Sequence, residues 1–481
     1  MIFNDLSEFI GYLEKKKELV RIKAEVDPFL EVTEIVNRLS KSNGPALVFE
    51  NVKGSQVPLV INIFGSYQRM SWALGIEDFG NIGHRFASLL KTDYDLKLRQ
   101  KLEVLKELHK LGTAKPREVK NAPCQEEVKE NTFSLSDYPI LHCWPKDGGR
   151  FITLPLVITK DPESGKQNMG IYRMQVFDEK STGMHWHIHH DGAVNYRKTA
   201  NLGKRMDVAV ALGGDPITIF SATAPLPYGI EELFFAGFLR KRPVEVVKAK
   251  TVDLLVPAHA EIILEGYVER NEKRREGPFG DHTGFYSVTA NYPIFHVTCV
   301  TQRKNPLYPA TIVGKPPMED CYMAKATERM FLPFIKMQLP EVVDINLPIE
   351  GVFHNCALIS IKKSFPMHAR KVINAIWGLG QMMFTKFVIV FDEDINIQNT
   401  SEAAWKAFNN VDPARDIMVV EGPLDVLDHS ANKPIYGAKM GIDATRKWAE
   451  EGYQREWPEE IRMSEEIKDI VDKRWMEYGL E

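Results

Sequence analysis

At 481 residues the chain is too long for one ordinary core, so two or three domains are expected. Its 44% hydrophobic and 26% charged residues are those of a water-soluble globular protein, and a formal net charge of -4 carries no electrostatic footprint for nucleic acid. The longest apolar runs, such as Phe387 to Phe391, fall far below membrane-spanning length, and Asp5 and Glu8 stand where a secretory signal would need an apolar stretch. The expected location is the cytoplasm, with at most a peripheral membrane contact.

Leu6, Phe9, Ile10 and Leu13 follow helical spacing, as do Val32, Ile35, Val36 and Leu39, and the apolar runs Ala46–Phe49 and Val60–Phe64 come after them. An α/β amino-terminal domain over residues 1–112 is predicted. A long helix is expected from about Ile82 to Leu111, ending at Gly112, followed by a proline-bearing linker over Thr113–Pro123. From 124 to 317 the chain changes character: runs such as Leu154–Thr159, Asp207–Leu212 and Ile294–Val300, separated by Gly and Pro turns, predict a mostly antiparallel sheet or split barrel. One helix, near Glu231–Leu239, stands within it. From 318 to 481 the pattern alternates: Cys356–Ile361, Phe387–Phe391 and Ile417–Val420 read as strands, Ala369–Gly378 and Glu402–Phe408 as helices. That alternation predicts a parallel or mixed sheet with helical cover. No Gly-x-Gly-x-x-Gly fingerprint supports a dinucleotide fold. The five cysteines are scattered without a Cys-x2-Cys pair, against both a disulfide framework and a structural zinc site.

The stretch between Asn168 and Asp191 carries the most chemistry. It reads Asn-Met-Gly-Ile-Tyr-Arg, a short insert, then Gly-Met-His-Trp-His-Ile-His-His-Asp, so an amide, an arginine and four imidazoles fall on two expected consecutive strands. Buried polar groups at that density need partners, which points to a cofactor or metal. Alternation along a strand would set His185, His187 and His189 on one face and Trp186, Ile188 and His190 on the other. Zinc, phosphate oxygens or a phosphate-bound divalent ion would each suit such a cluster, and the pattern does not choose between them.

Two further features bear on a site. In Arg275-Glu-Gly-Pro-Phe-Gly-Asp-His-Thr-Gly284, a Gly-Pro turn can fold Glu276 and Asp281 toward one another, as acid–base chemistry with unlike protonation states requires. Glu231, at the head of its helix, would ordinarily complement the helix dipole. With an Asn and a His, however, it forms an N/O ligand set suited to manganese or magnesium bridging a phosphate.

These runs, with Thr385–Val390, Asp412–Asp416, Lys439–Thr445 and Gln454–Trp457, resemble the UbiD family of prenylated-flavin-dependent decarboxylases over nearly the whole chain. The resemblance implies prenylated FMN in the central split barrel, its phosphate held through a manganese ion and an accompanying potassium ion, with a flavin prenyltransferase as supplier. It places Asn168 and Glu231 as metal ligands with His190 as the third. It places Ile171, Tyr172, Arg173, His185, Trp186, His187, His189, His190, Asp191 and Lys386 at the cofactor, together with Asn168 and Glu231. Arg173, Glu276 and Asp281 match the catalytic trio, Asp281 delivering the proton that replaces carbon dioxide. The implied reaction is decarboxylation of an aromatic acid, first a 3-polyprenyl-4-hydroxybenzoate of ubiquinone synthesis, otherwise an acid of a menaquinone route or a small phenolic acid. Ubiquinone-branch members carry Arg, Leu, Arg and Gly where this chain has His185, His187, His190 and Asp191, a departure that bears on the substrate. The resemblance also implies a homo-oligomer, dimer or hexamer, formed through the carboxy-terminal domain. From another class, a metal-dependent hydrolase built on His185–His190 is the competing expectation.

Overall fold

The computed structural model describes residues 2–77, 114–130, 132–187, 190–226 and 228–480. The helix expected over Ile82–Leu111, its Gly112 end, and His189 lie outside the described residues. The architecture is mixed α/β. Its centre is an open sheet of seven strands in the order Ser181–Gly183, Ala290–Gln302, Ile262–Glu276, Met206–Leu212, Pro155–Lys160, Gln167–Ile171, with Glu127–Lys129 also pairing on Ala290–Gln302. Every pairing in it is antiparallel. Among the described residues no pairing joins its two ends, so the expected split barrel is here an open sheet.

The central strands are apolar on both faces, and alternation sends consecutive side chains into two different cores. Leu156, Ile158, Ala209, Ala211 and Ile263 enter one core, which also takes Leu6, Phe9, Ile10 and Leu13 of the first helix, Leu6–Lys15. Val157, Val208, Val210, Ile262 and Leu264 enter the other, beneath Val32 and Val36 of the helix Glu31–Lys41. Strand Ala46–Val52 divides its side chains in the same way, Ala46 and Val48 against Leu47 and Phe49. The amino-terminal elements therefore share both cores with the central sheet. A smaller sheet confirms the join, because Tyr308–Ala310 from the central segment runs parallel to Leu59–Ile61.

The carboxy-terminal unit has cores of its own around Ile359, Val372, Val390 and Phe391. Its five strands run in the order Val342–Asn346, Cys356–Ile361, Phe387–Asp392, Tyr436–Asp443, Ile417–Pro423, the middle three mutually parallel and both edges antiparallel. Helices His368–Trp377 and Thr400–Asn410 cover it as the alternating pattern predicts. The helix Glu319–Gln338 leads into this unit from the central sheet. No helix among the described residues is long and apolar enough to cross a membrane.

Candidate functional site

The two longest strands, Ile262–Glu276 and Ala290–Gln302, form a hairpin whose tip carries residues 277–289. Glu276 is the last residue of the first arm. Gly277 then takes φ +90°, a left-handed conformation that a side chain disfavours, and this bends the chain so that Asp281 returns toward Glu276. The tip is held from outside: Gly277 N donates to Gln175 Oε1 at 2.7 Å and Gly280 N to Asp147 Oδ1 at 2.7 Å. Asp147 is itself buried, which pushes its carboxyl up to about 6.

Arg173 follows the strand Gln167–Ile171 and points into this hairpin tip. Its Nε donates to Glu276 Oε1 at 3.2 Å, Nη1 donates to Asp281 Oδ2, and Nη2 donates to Ser287 Oγ at 3.0 Å. The guanidinium lies 4.7 Å over the Phe279 ring. Glu276 is 1% exposed and Asp281 6%. Burial pushes both carboxyls up, but neighbours outweigh it. At Glu276 the hydrogen bond and charge of His185 act first and Arg173 second; at Asp281 the Arg173 charge acts first and the His282 hydrogen bond second. Both acids are held below their ordinary range.

The described residues of the histidine segment, Met184–His187 and His190, are not in a strand. Strand Ser181–Gly183 stops before it, and a helix, Asp191–Asn201, begins directly after His190. The expected alternation nonetheless survives locally. Trp186 turns into the core against Tyr196, with ring centroids 5.8 Å apart, while His185 and His187 meet on the opposite side with Nε2 atoms 2.7 Å apart. His185 Nδ1 lies 2.7 Å from Glu276 Oε2. Burial and the Arg173 charge lower the His185 pKa, against the pull of Glu276. From there a wall of rings continues, His187 stacking on His190 at 4.8 Å and His190 lying tilted against Tyr172 at 5.0 Å. The wall runs from the Glu276 carboxylate to the strand that bears Asn168 and Ile171.

At the far end of the wall the carboxylate that meets Asn168 is Glu232. Asn168 Nδ2 donates to Glu232 Oε1 at 2.9 Å and Met169 N to Glu232 Oε2 at 2.7 Å. The expected ligand, Glu231, is the residue before the helix Glu232–Arg240, and its Oε1 accepts from Gln167 N at 2.8 Å. The two acids differ because Glu231 still has extended backbone while Glu232 begins the helical turn that faces the sheet. Burial pushes Glu232 up to about 8, and Asn168 Oδ1 is buried without a hydrogen-bond partner. An unpaired amide oxygen beside a desolvated carboxylate is an oxygen pair suited to a hard divalent cation. Both line a cavity of about 760 Å³, with Lys115, Lys160, Lys166 and Lys248 on its walls.

Lys386 makes its contacts elsewhere. Its Nζ donates to Asp428 Oδ2 at 2.7 Å and to Ser430 Oγ, beside a second cavity of about 450 Å³ that Thr283 and Phe285 of the hairpin tip also line. Zinc-hydrolase chemistry finds little support in this geometry, since His185 and His187 turn toward Glu276 and each other. Among the described residues no three His, Cys, Asp or Glu side chains converge as a metal site. Sequence reasoning missed Glu232, Ser287, His282 and Asp147. Glu232 carried a signal as the second acid of a Glu-Glu pair at a helix start, and His282 as a member of the Arg275–Gly284 run.

Three family models match the chain in order. The N-terminal domain of 3-octaprenyl-4-hydroxybenzoate carboxy-lyase matches residues 10–86, its Rift-related domain 117–316 and its C-terminal domain 321–444. A protein of Archaeoglobus fulgidus is 52% identical over 482 aligned residues, covering 99% of each chain. Among solved structures, the vanillic acid decarboxylase of Sedimentibacter hydroxybenzoicus in closed form is similar with a TM-score of 0.86 and 29% identity, covering 99% of each chain. The UbiD-class enzyme HmfF of Pelotomaculum thermopropionicum, solved with FMN, gives 0.78 and 28% identity, covering 94% of this chain and 97% of that one. An evolved dimeric form of HmfF is solved with prFMN, at a TM-score of 0.76 and 28% identity, covering 95% of this chain and 97% of that one.

Proposed function

This chain belongs to the UbiD family and is a carboxy-lyase of aromatic acids; from that premise we propose that it decarboxylates a 4-hydroxybenzoate-type acid with prenylated FMN, held beside a divalent ion. The observation that carries the reading is the wall of rings joining the Arg173–Glu276–Asp281 cluster to the Asn168–Glu232 oxygen pair. Asn168 and Glu232 would hold manganese, with His190 as the imidazole next to them and potassium alongside. Ile171, Tyr172, His185, Trp186, His187, His189, His190 and Asp191 would line the flavin, and Glu231 and Lys386 would stand at its margins. When bound, the modified flavin supplies the electron sink that no side chain offers.

The chain's own residues bind, orient and move a proton. Three groups of donors on Arg173 are engaged, by Glu276, Asp281 and Ser287, and a guanidinium has five N–H donors. Two remain for a substrate carboxylate. A second anion at Arg173 weakens the hold on Asp281, whose pKa then rises toward taking up a proton. Glu276, pinned by Arg173 and His185, keeps its charge and orients both. Asp281 is then the proton donor.

Prenylated 4-hydroxybenzoate and vanillate share a 4-hydroxybenzoate unit, which is why that unit defines the proposed substrate class. A flavin prenyltransferase would supply the cofactor in the cytoplasm. Assembly as a dimer or hexamer is supported by the exposed apolar side chains Ile461, Met463, Ile467, Ile470 and Met476 near the carboxy terminus. The test is protein made with and without the prenyltransferase, followed by its visible spectrum and by carbon dioxide release from vanillate, 4-hydroxybenzoate and a prenylated 4-hydroxybenzoate. Release only from the flavin-loaded protein is expected. Loaded protein that turns over none of the three would overturn the substrate class.

A further inference from the structure

The proposed donor poses a problem that its own surroundings answer. Asp281 is held as a carboxylate by Arg173 in the resting site, and each turnover consumes one proton, so Asp281 must be recharged. Its other oxygen, Oδ1, accepts from His282 N at 2.8 Å and faces the imidazole of the same residue, His282 Nδ1 lying 2.9 Å away. The far side of that ring meets a second one, His282 Nε2 standing 2.8 Å from Nε2 of His354, which is 72 residues away on the carboxy-terminal unit. Two ring nitrogens at that distance share one proton, because one must donate and the other accept. The outer nitrogen, His354 Nδ1, is buried and has no hydrogen-bond partner among the described residues. Gly351, Val352 and Asn355 around His354, and Thr283 beside His282, line the cavity of about 450 Å³.

We infer that His282 and His354, paired across the contact between the hairpin tip and the carboxy-terminal unit, hold the proton that recharges Asp281. The inference rests on the reading of Asp281 as the donor. The carbon–carboxylate bond breaks, carbon dioxide leaves, and the electron pair stays on the ring carbon. The Asp281 proton forms the new C–H bond and leaves a carboxylate. The His282 imidazolium then gives its Nδ1–H to Asp281 Oδ1 and is left neutral, its Nε2–H still directed at His354 Nε2. A solvent proton then restores the imidazolium at His282, whose side chain is 20% exposed, so the sum is one proton from solvent for each carbon dioxide released.

The surrounding charges keep the resting proton on His282 rather than on Asp281. Burial lowers the His282 pKa, but Asp281 outweighs it and holds His282 above its ordinary value, with Asp320 of the helix Glu319–Gln338 and Asp425 adding to the pull. His354 is pushed down to about 4 by burial and by His282, against Asp425, Asp281 and Asp428. Protons thus collect on the imidazole next to Asp281. Because His282 and His354 act through Asp281, they are positioning residues for the proton, and they make contact only while the two units are apposed.

Two measurements on the full chain decide the matter. In histidine-labelled nitrogen NMR, His282 should titrate above its ordinary range, fall back in Asp281→Asn, and change together with His354 in the wild type; independent titration of the two rings would overturn the pairing. In the flavin-loaded enzyme with vanillate or 4-hydroxybenzoate, His354→Gln keeps a polar group but no transferable proton. It should lower kcat by about 10-fold or more with KM unchanged, free imidazole should restore part of the rate, and His282→Gln should cost about 100-fold. An unchanged kcat in His354→Gln, or a loss that imidazole cannot rescue, would overturn it too. If wild-type enzyme turns over neither acid, the functional reading fails by itself, and the linked titration alone decides whether the imidazoles share their proton.

Discussion

Asn168 and Glu232, 64 residues apart in the chain, are joined by a 2.9 Å hydrogen bond that leaves the amide oxygen of Asn168 buried and unpartnered. The strand Gln167–Ile171 and the helix Glu232–Arg240 are thereby fixed at one point, where one amide oxygen is left without a donor.

Manganese should depend on Glu232 and much less on its neighbour. Glu232→Gln replaces the carboxylate with a neutral amide of the same shape and should abolish manganese binding in titration calorimetry. Glu231→Gln should retain binding within about 10-fold, since that side chain faces the Gln167 amide. Equal losses in both variants would return the ligand role to the pair as a whole.

Stability without metal should respond to pH through the same residue. Burial holds folded Glu232 at about 8, against 4.5 for the unperturbed group. Between those values the folded chain keeps a proton that the unfolded chain has lost, so stability falls as pH rises across the window, and below it the difference vanishes. Melting temperature against pH should therefore slope less steeply in Glu232→Gln than in the wild type. Parallel curves would show that Glu232 does not carry this proton.

Asp281→Asn should leave the flavin spectrum intact and remove turnover, because an amide has no transferable proton. Glu276→Gln should also lose activity by a different route: the neutral amide no longer balances Arg173 and His185, both of which hydrogen-bond the carboxylate. Full activity in either variant would take that residue out of the mechanism.

Arg173→Lys tests geometry rather than charge. Lysine carries the positive charge but cannot reach Glu276, Asp281 and Ser287 at once, nor lie flat over Phe279. Decarboxylation should fall on the order of 100-fold while flavin is still bound. A wild-type rate would mean that charge alone suffices at this position.

What the linear sequence determined is the part governed by local periodicity and by contiguous motifs. Leu6, Phe9, Ile10 and Leu13 bury as one helical stripe, and the carboxy-terminal alternation of strands and helices forms the mixed sheet, because spacing along the chain dictates which side chains share a face. The Asn168–Arg173 and Glu276–Gly284 runs likewise stand out as contiguous motifs, and the fold brings Arg173 against Glu276 and Asp281. Tertiary structure decided what depends on approach between distant segments. The amino-terminal elements share both cores with the central sheet, a fact invisible to a reading that divides the chain at a linker. Glu232 rather than Glu231 turns toward Asn168 because the helix begins one residue later than the acid pair suggested, a difference of about 100° in direction that no composition can resolve. His282 and His354 meet because two folded units present them at one surface, where burial lowers both imidazoles but the Asp281 carboxylate raises His282 above its ordinary value.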